Sequence, residues 1–469
     1  MAERQERKPP VSGVSQGMNQ HEMGVRADAV LRLGMLLMGA GASGYRVIRG
    51  MKRAARAVGF AGLDAVVTIT TITCTFHEES EFRTVVAHQP HVEVDASRIE
   101  ALESLAHRVR PPMSARELNA ELDAIEAGVR KRWGPWLLAL AAACACAGCA
   151  ALNGFGPVEV AVVALAAAAG QAVRGWLGHR GVQMIAGVAA GGAVACAVYA
   201  AVAPLAGAAE AGFVASVLFL VPGFPLFSAL IDLARCDIAA GVARLTYAMT
   251  IMASAAFAVT AMSWAVGLSP QGWAAPHPGY PVVIPASAVG IAGFALLFNS
   301  SRRMALVAAS IGTVGNALRW VLIDASLTPF IATCLGALAV GLLGFAVVRL
   351  ARIPRVTTTV PAVVVMIPGP AMYRALHGMA VGLLGFAVVR LARIPRVTTT
   401  VPAVVVMIPG PAMYRALHGM AVGDMDAVVS HTATAAMTVL SIGAGLVLAR
   451  LLTDRDWALG RPIDFSRYR

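Results

Sequence analysis

The sequence predicts a mainly α-helical, polytopic membrane protein. About ten transmembrane helices, up to twelve with a duplicated unit, form two inverted repeats of five and follow a small α+β cytoplasmic domain. Three observations predict this. Hydrophobic residues make up 58% of the 469 and charged ones only 14%, against about 25% charged in a typical soluble domain. The long apolar runs begin at Trp133, and the Lys and Arg residues between them alternate from side to side. A Pro-Gly stretch inside an apolar run recurs: Leu220-Val221-Pro222-Gly223-Phe224-Pro225-Leu226 aligns without a gap on Met407-Ile408-Pro409-Gly410-Pro411-Ala412-Met413, at an offset of 187 (409 − 222).

Residues 1–26 are polar, lack the apolar core of a signal peptide and are expected to form a disordered tail. A helical pattern runs from Ala29 to Ala57, with Leu33, Leu36, Leu37, Val47, Ile48 and Met51 on one face. Its six Lys and Arg residues argue against a span. Ala65–Phe76 is rich in β-branched residues and reads as one strand. Phe82–Ala87 and His91–Val94 read as two more. Amphipathic helices are expected at Ala96–Val109 and Ser114–Val129, parted by Pro111-Pro112. Together residues 27–132 make the cytoplasmic domain. His77, His88 and His91 lie near Glu78, Glu79 and Glu81, but in no ligand spacing, so no metal is assigned.

The first membrane domain covers 133–267, with spans near 136–154, 158–175, 182–203, 211–231 and 243–266. The second covers 281–452, with spans near 281–298, 304–323, 328–349, 359–376, 400–417 and 427–451 and a short apolar segment at 378–391; a cytoplasmic tail, 453–469, follows. Arg130-Lys131-Arg132, Arg174 and Arg180, Arg235 and Arg244, Arg302-Arg303, and Arg349, Arg352 and Arg355 all fall on one side. The intervening loops, such as Pro204–Glu210 and Ser269–Tyr280, carry none. This places both termini in the cytoplasm. The two Pro-Gly segments then run in opposite directions, as inverted repeats require.

The second domain contains an exact tandem repeat. Ala339–Gly382 equals Ala380–Gly423 at an offset of 41 (380 − 339), so the units are 339–379 and 380–420. Only the second Pro-Gly copy is followed by an acid, Asp424, at the place of Asp237; after the first copy Leu383 stands there.

Proline removes a donor and glycine frees the backbone, so Pro222, Gly223 and Pro225, and Pro409 and Gly410, mark broken helices. Broken helices at matching places in two halves point to a transporter's substrate site; simple kinks are the plainer reading. Asp232, Asp237 and Asp424 are candidates for proton coupling, or else acids that solvate a loop and pair with Arg235 or Arg244. Gly312, Gly315, Asn316 and Arg319 share one helical face, where Arg319 could meet a substrate carboxylate or snorkel to the outer interface. Cys144, Cys146 and Cys149 lack partner histidines and read as packing residues. There is no Walker loop, no cofactor motif, and no aromatic–basic interleaving for nucleic acid despite the net charge of +12.

LLMGAGASGYRVIRGMKRAARAVGF with VVTITTITCTF, LFLVPGFPLFSALIDLARCDIAAGVARL, and ALLFNSSRRMALVAASIGTVGNALRW followed by VPAVVVMIPGPAMYRAL resemble, in this order, the threonine/serine exporter family across residues 28 to 452. The resemblance implies export of L-threonine and L-serine across the plasma membrane, driven by protons. Its implied partners are a small amino acid, protons and the lipid bilayer, with a homo-oligomer open. Two features depart from the family pattern: Ile48 where an acid is common, and two copies of the second Pro-Gly unit instead of one. A membrane-anchored enzyme or a non-transporting scaffold is the alternative function, though no nucleophile–base constellation stands out in residues 27–132.

Overall fold

A computed structural model describes residues 13–78, 81–89, 93–129, 132–208, 212–267, 278–350 and 424–453. The N-terminal part opens with α1 (Gly13–Gly39) and α2 (Gly44–Ala57). Two expectations change here. Of the tail expected at 1–26, residues 13–26 are helical and Met23 is buried in the core, while residues 1–12 lie outside the described residues. The single helical pattern of 29–57 is cut at Gly41, whose φ of 87° is left-handed, and Ala42 bonds back to the carbonyl of Leu37.

The strand expected at Ala65–Phe76 is a hairpin. β1 (Gly62–Val67) and β2 (Thr71–Glu78) pair antiparallel, and β3 (Glu81–His88) continues the sheet in the order β1-β2-β3. A run of threonine and isoleucine carries no glycine or proline to mark the turn. The Thr68 hydroxyl makes it instead, accepting the Thr71 N–H at 3.0 Å. Glu93 to Asp95 form no strand; their backbone bonds to the end of α1 through Gly39 and Ala40. Residues 91 and 92 of the strand expected at His91–Val94 lie outside the described residues.

Next come α3 (Ala96–Arg108), capped by Asp95, and α4 (Ala115–Gly128), capped reciprocally by Ser114 and Glu117. Leu33, Leu37, Met51, Leu63, Ile72, Phe76 and Ile99 fill the core between the helices and one face of the sheet. Arg46 and Glu103 form a buried ion pair at 2.5 Å inside it.

The membrane part has α5 (Pro135–Leu152), α6 (Pro157–His179), α7 (Met184–Ala206), α8 (Gly212–Ala215), a 3-10 turn (Leu218–Leu220), α9 (Gly223–Leu233) and α10 (Ile238–Val266). It continues with α11 (Tyr280–Leu297), α12 (Arg302–Asp324), α13 (Pro329–Leu350) and α14 (Met425–Thr453). Among the described residues seven helices are long and apolar enough to cross a bilayer, or eight if a bent pair counts as one span. The expected spans at 359–376 and 400–417 and the segment at 378–391 lie outside the described residues.

The two halves follow one plan at a fixed spacing. α5, α6 and α7 begin 145 residues before α11, α12 and α13 (280 − 135, 302 − 157, 329 − 184). The left-handed residues after them repeat too: Gly154 matches Asn299, and Gly181 matches Ser326, again 145 apart (299 − 154, 326 − 181). Neighbours also correspond. α5 packs on α6, α6 on α7 and α7 on α10; α11 packs on α12, α12 on α13 and α13 on α14. The halves meet where α5 crosses α11. There the helix backbones touch through Gly148, Gly290 and Gly293, with no room for a Cβ at Gly148 or Gly293.

Candidate functional site

The fourth span breaks where proline and glycine predict a break. The segments Gly212–Leu220 and Gly223–Leu233 meet at 64°. Pro222 caps α9, and Pro225 falls in its first turn, where a missing N–H costs no helical bond. Two N–H groups at the break are paired locally: Val221 N–H donates to the Leu218 carbonyl and Gly223 N–H to the Val221 carbonyl. Pro222 and Gly223 are buried and Pro225 is half-buried. Phe224, just past the break, packs edge-on against Phe298 in the α11–α12 loop at 6.0 Å. The break of one half therefore rests on the other. Pro409 and Gly410 lie outside the described residues.

Asn316 and Arg319 come together in the second half. Asn316 is 1% exposed, and its Nδ2 donates to the Ser287 hydroxyl of α11 at 2.8 Å. Arg319 is half-buried on α12 and turns toward α13, where its Nε donates to the Thr333 hydroxyl at 3.0 Å. Among the described residues its hydrogen-bond partners are Thr333 and, at 3.5 Å, the Asn316 side-chain oxygen; its guanidinium also lies over the Trp320 ring. Its cation thus has neutral neighbours.

The equivalent place in the first half holds the same chemistry, which inspection of the sequence overlooked. Gly170-Gln171-Ala172-Val173-Arg174 on α6 matches Gly315-Asn316-Ala317-Leu318-Arg319 on α12 at the same offset of 145 (315 − 170). Aligning the helices of the two halves would have found it. Arg174 lies 6.0 Å from the Phe219 ring centroid, in the 3-10 turn that precedes the break. Glycine makes that approach feasible, since a Cβ at Gly170 would fall 2.5 Å from the Gly191 carbonyl and 3.1 Å from Phe219. Glu93 and Tyr247 are the groups that act electrostatically on Arg174.

The candidate acids separate into two arrangements. Asp232 is buried on α9 in an ion pair with Arg244 of α10, and Arg244 also donates to the Ala42 carbonyl ahead of α2 at 2.9 Å. Asp237 caps α10 by accepting the Ala240 N–H, and Asp424 caps α14 by accepting the Ala427 N–H. Their alignment in sequence reflects this shared capping position. Arg235 stacks over the Tyr45 ring at 4.1 Å instead of pairing with the acids.

The N-terminal part grips both halves at this end. Its α2 entrance reaches the α9–α10 corner through Ala42, Gly44 and Tyr45. Its α3 entrance reaches the α11–α12 loop, where Ala96 N–H donates to the Phe298 carbonyl at 2.9 Å and the Ser97 hydroxyl to the Asn299 carbonyl at 2.6 Å. Arg132 ties the two together, donating to the Asn299 side chain and to Ser97.

Residues 28–266 match the family described as "Putative threonine/serine exporter". Residues 284–379 and 375–452 match a second family, "Threonine/Serine exporter, ThrE", in two pieces that meet at the boundary of the tandem repeat. No curated protein and no solved structure matches the chain. With more than half of its length matched and both membrane halves covered in order, the chain belongs to the threonine/serine exporter family.

Proposed function

We propose that the protein is a secondary transporter that exports L-threonine and L-serine across the plasma membrane in exchange for protons, with both termini cytoplasmic. The observation that carries this reading is the buried 64° break at Pro222–Gly223, set against the opposite half of an exporter-family chain. Breaks of this kind leave backbone groups at membrane depth that can meet a polar substrate. The constant offset of 145 between the halves supports inverted repeats, since an odd number of spans in each half reverses its direction. Asn316 and Arg319 supply an amide and a fork-shaped cation for the amino acid in the second half. Asp232 is the acid we assign to coupling, because protonating it would release Arg244 from its ion pair.

Efflux of labelled threonine and serine from preloaded proteoliposomes tests the function. Export should depend on the proton gradient and fall in Asp232→Asn. Export that survives collapse of the gradient removes coupling, and absence of any amino-acid movement removes the function. Replacing Pro222 and Gly223 by alanine should straighten the span and lower transport at normal expression. Wild-type transport would favour a plain kink. For orientation, a cysteine placed at Ala325 should react with an impermeant outside reagent and one at Arg302 should not, in a background lacking native cysteines. The reverse labelling would invert the topology.

A further inference from the structure

We infer that Gln171 and Arg174 on α6 form a second subsite for the substrate, holding the ammonium and carboxylate groups of a small amino acid beside the first-half break. This rests on the amino-acid transport reading above. Four observations support it.

The first is the shared register of the Gly-amide-x-x-Arg motif on α6 and α12. The surrounding residues differ, for Gly175 stands where Trp320 does and His179 where Asp324 does. What the two halves hold in common is an amide and a guanidinium one helical turn apart, a spacing that puts both on one face.

The second is an orphaned acceptor. Gln171 is 5% exposed, and its Oε1 has no hydrogen-bond donor among the described residues. A buried carbonyl left without a donor is costly, on the order of 1–3 kcal/mol. An ammonium group of a bound ligand would supply the donor.

The third is location. Arg174 is half-buried and sits over Phe219, three residues before Pro222. Its fork of N–H donors suits a carboxylate.

The fourth is that an internal carboxylate lies within electrostatic reach. Glu93, from the segment that leads into α3, and Tyr247 are the charged or ionisable groups nearest in effect to Arg174. Glu93 thus stands within electrostatic reach of Arg174. A substrate carboxylate at Arg174 must compete with Glu93, which the N-terminal part supplies. The second-half counterpart, Arg319, meets hydroxyl and amide groups instead. The two subsites thus differ in one respect: the first is opposed by an internal acid.

The test is binding of labelled L-serine to the full-length protein in lipid nanodiscs. Arg174→Lys keeps the charge and loses the fork, so affinity should fall about tenfold or more. Gln171→Leu should weaken serine binding about tenfold but leave competition by lactate, which has no ammonium group, unchanged. Gln171→Asn keeps an amide, the one found at Asn316, and should bind within about threefold of wild type. Glu93→Gln should tighten binding, and unchanged affinity there would overturn the competitor role of Glu93. If Gln171→Leu fails to fold, Arg174→Lys and Gln171→Asn carry the test. Serine binding by the wild type that is unaffected by Arg174→Lys overturns the subsite while transport stands. Failure of the wild type to bind any amino acid overturns the proposed function and the subsite with it.

Discussion

The contact between α5 and α11 is the joint between the two halves, and a single methyl group tests it. A Cβ added at Gly148 would lie 2.6 Å from the Ala286 carbonyl oxygen and from the Gly290 Cα, and 2.8 Å from the Gly290 nitrogen. Ordinary contact begins at 3.4 Å, so the helices must part by about 0.8 Å (3.4 − 2.6) at this point. The obstacles are backbone atoms, which cannot swing aside. A gap of that size forfeits roughly a quarter to a half of each dispersion contact along the seam. Overpacking of this kind costs about 1–3 kcal/mol, offset by up to about 1 kcal/mol of helix propensity for alanine over glycine. Gly148→Ala should therefore lose about 1–2 kcal/mol. Gly293→Ala should do the same, since its Cβ would lie 2.5 Å from the Ala141 carbonyl. Gly175 on α6 is the control, because nothing lies within 4 Å of a Cβ there. Gly175→Ala should be neutral or gain up to about 1 kcal/mol. Thermal unfolding of the purified proteins in one detergent, with transport measured in parallel, decides the matter. If Gly148→Ala proves as stable as Gly175→Ala, the close crossing of α5 and α11 is wrong.

Three other outcomes are expected. Arg46→Leu leaves Glu103 buried without its nearest partner and should destabilise the N-terminal part by about 3–5 kcal/mol, whereas Arg49→Leu, whose guanidinium stands 3.9 Å away, should cost much less; equal effects in a melt would refute the pairing. Burial raises the Glu100 carboxyl to about 7, against the pull of Arg132 and Arg303, and burial with Arg53 nearby lowers His107 to about 4. Glu100 then contributes stability that is full below pH 4.5 and lost as pH rises through 7, while His107 contributes stability present above pH 6.5 and lost as pH falls toward 4. Measured against the wild type, Glu100→Gln should lose stability on acidification and His107→Gln should gain it, and equal differences would refute the assignment. Deleting Ala339–Met379 joins Leu338 to Ala380 without a scar, leaves 428 residues (469 − 41), and should improve expression with transport at least preserved; an inert deletion form beside an active full-length protein would make the second copy a working part.

Much of the architecture was legible from local pattern. A span is announced by about 20 consecutive apolar residues, and α5, α6, α7, α11, α12 and α13 stand within a few residues of their expected places. The break at Pro222 was legible for the same reason, since proline and glycine act on their own stretch of backbone. The capping of α10 and α14 by Asp237 and Asp424 was within reach too, being a bond over three residues. The pentapeptide shared by α6 and α12 lay in plain view, but the alignment made at Pro222 and Pro409 carried the 41 residues of the duplicated unit. Removing them leaves 146 (187 − 41), one residue from the offset of 145 that relates the helices.

Tertiary structure decided what depends on distant partners. No local signal splits Ala65–Phe76, because its turn is made by a threonine hydroxyl in a run of strand-forming residues. The first 26 residues are polar on average, yet Met23 finds a core to enter once α2 and the sheet are present. The hydrogen bond from Arg319 to the Thr333 hydroxyl joins two helices, and no local pattern announces it. The bond from Arg244 to the Ala42 carbonyl and the one from Ser97 to the Asn299 carbonyl each join residues 202 apart in the chain. Periodicity reports which face of a helix is apolar. It does not report which backbone carbonyl, two hundred residues away, that helix will meet.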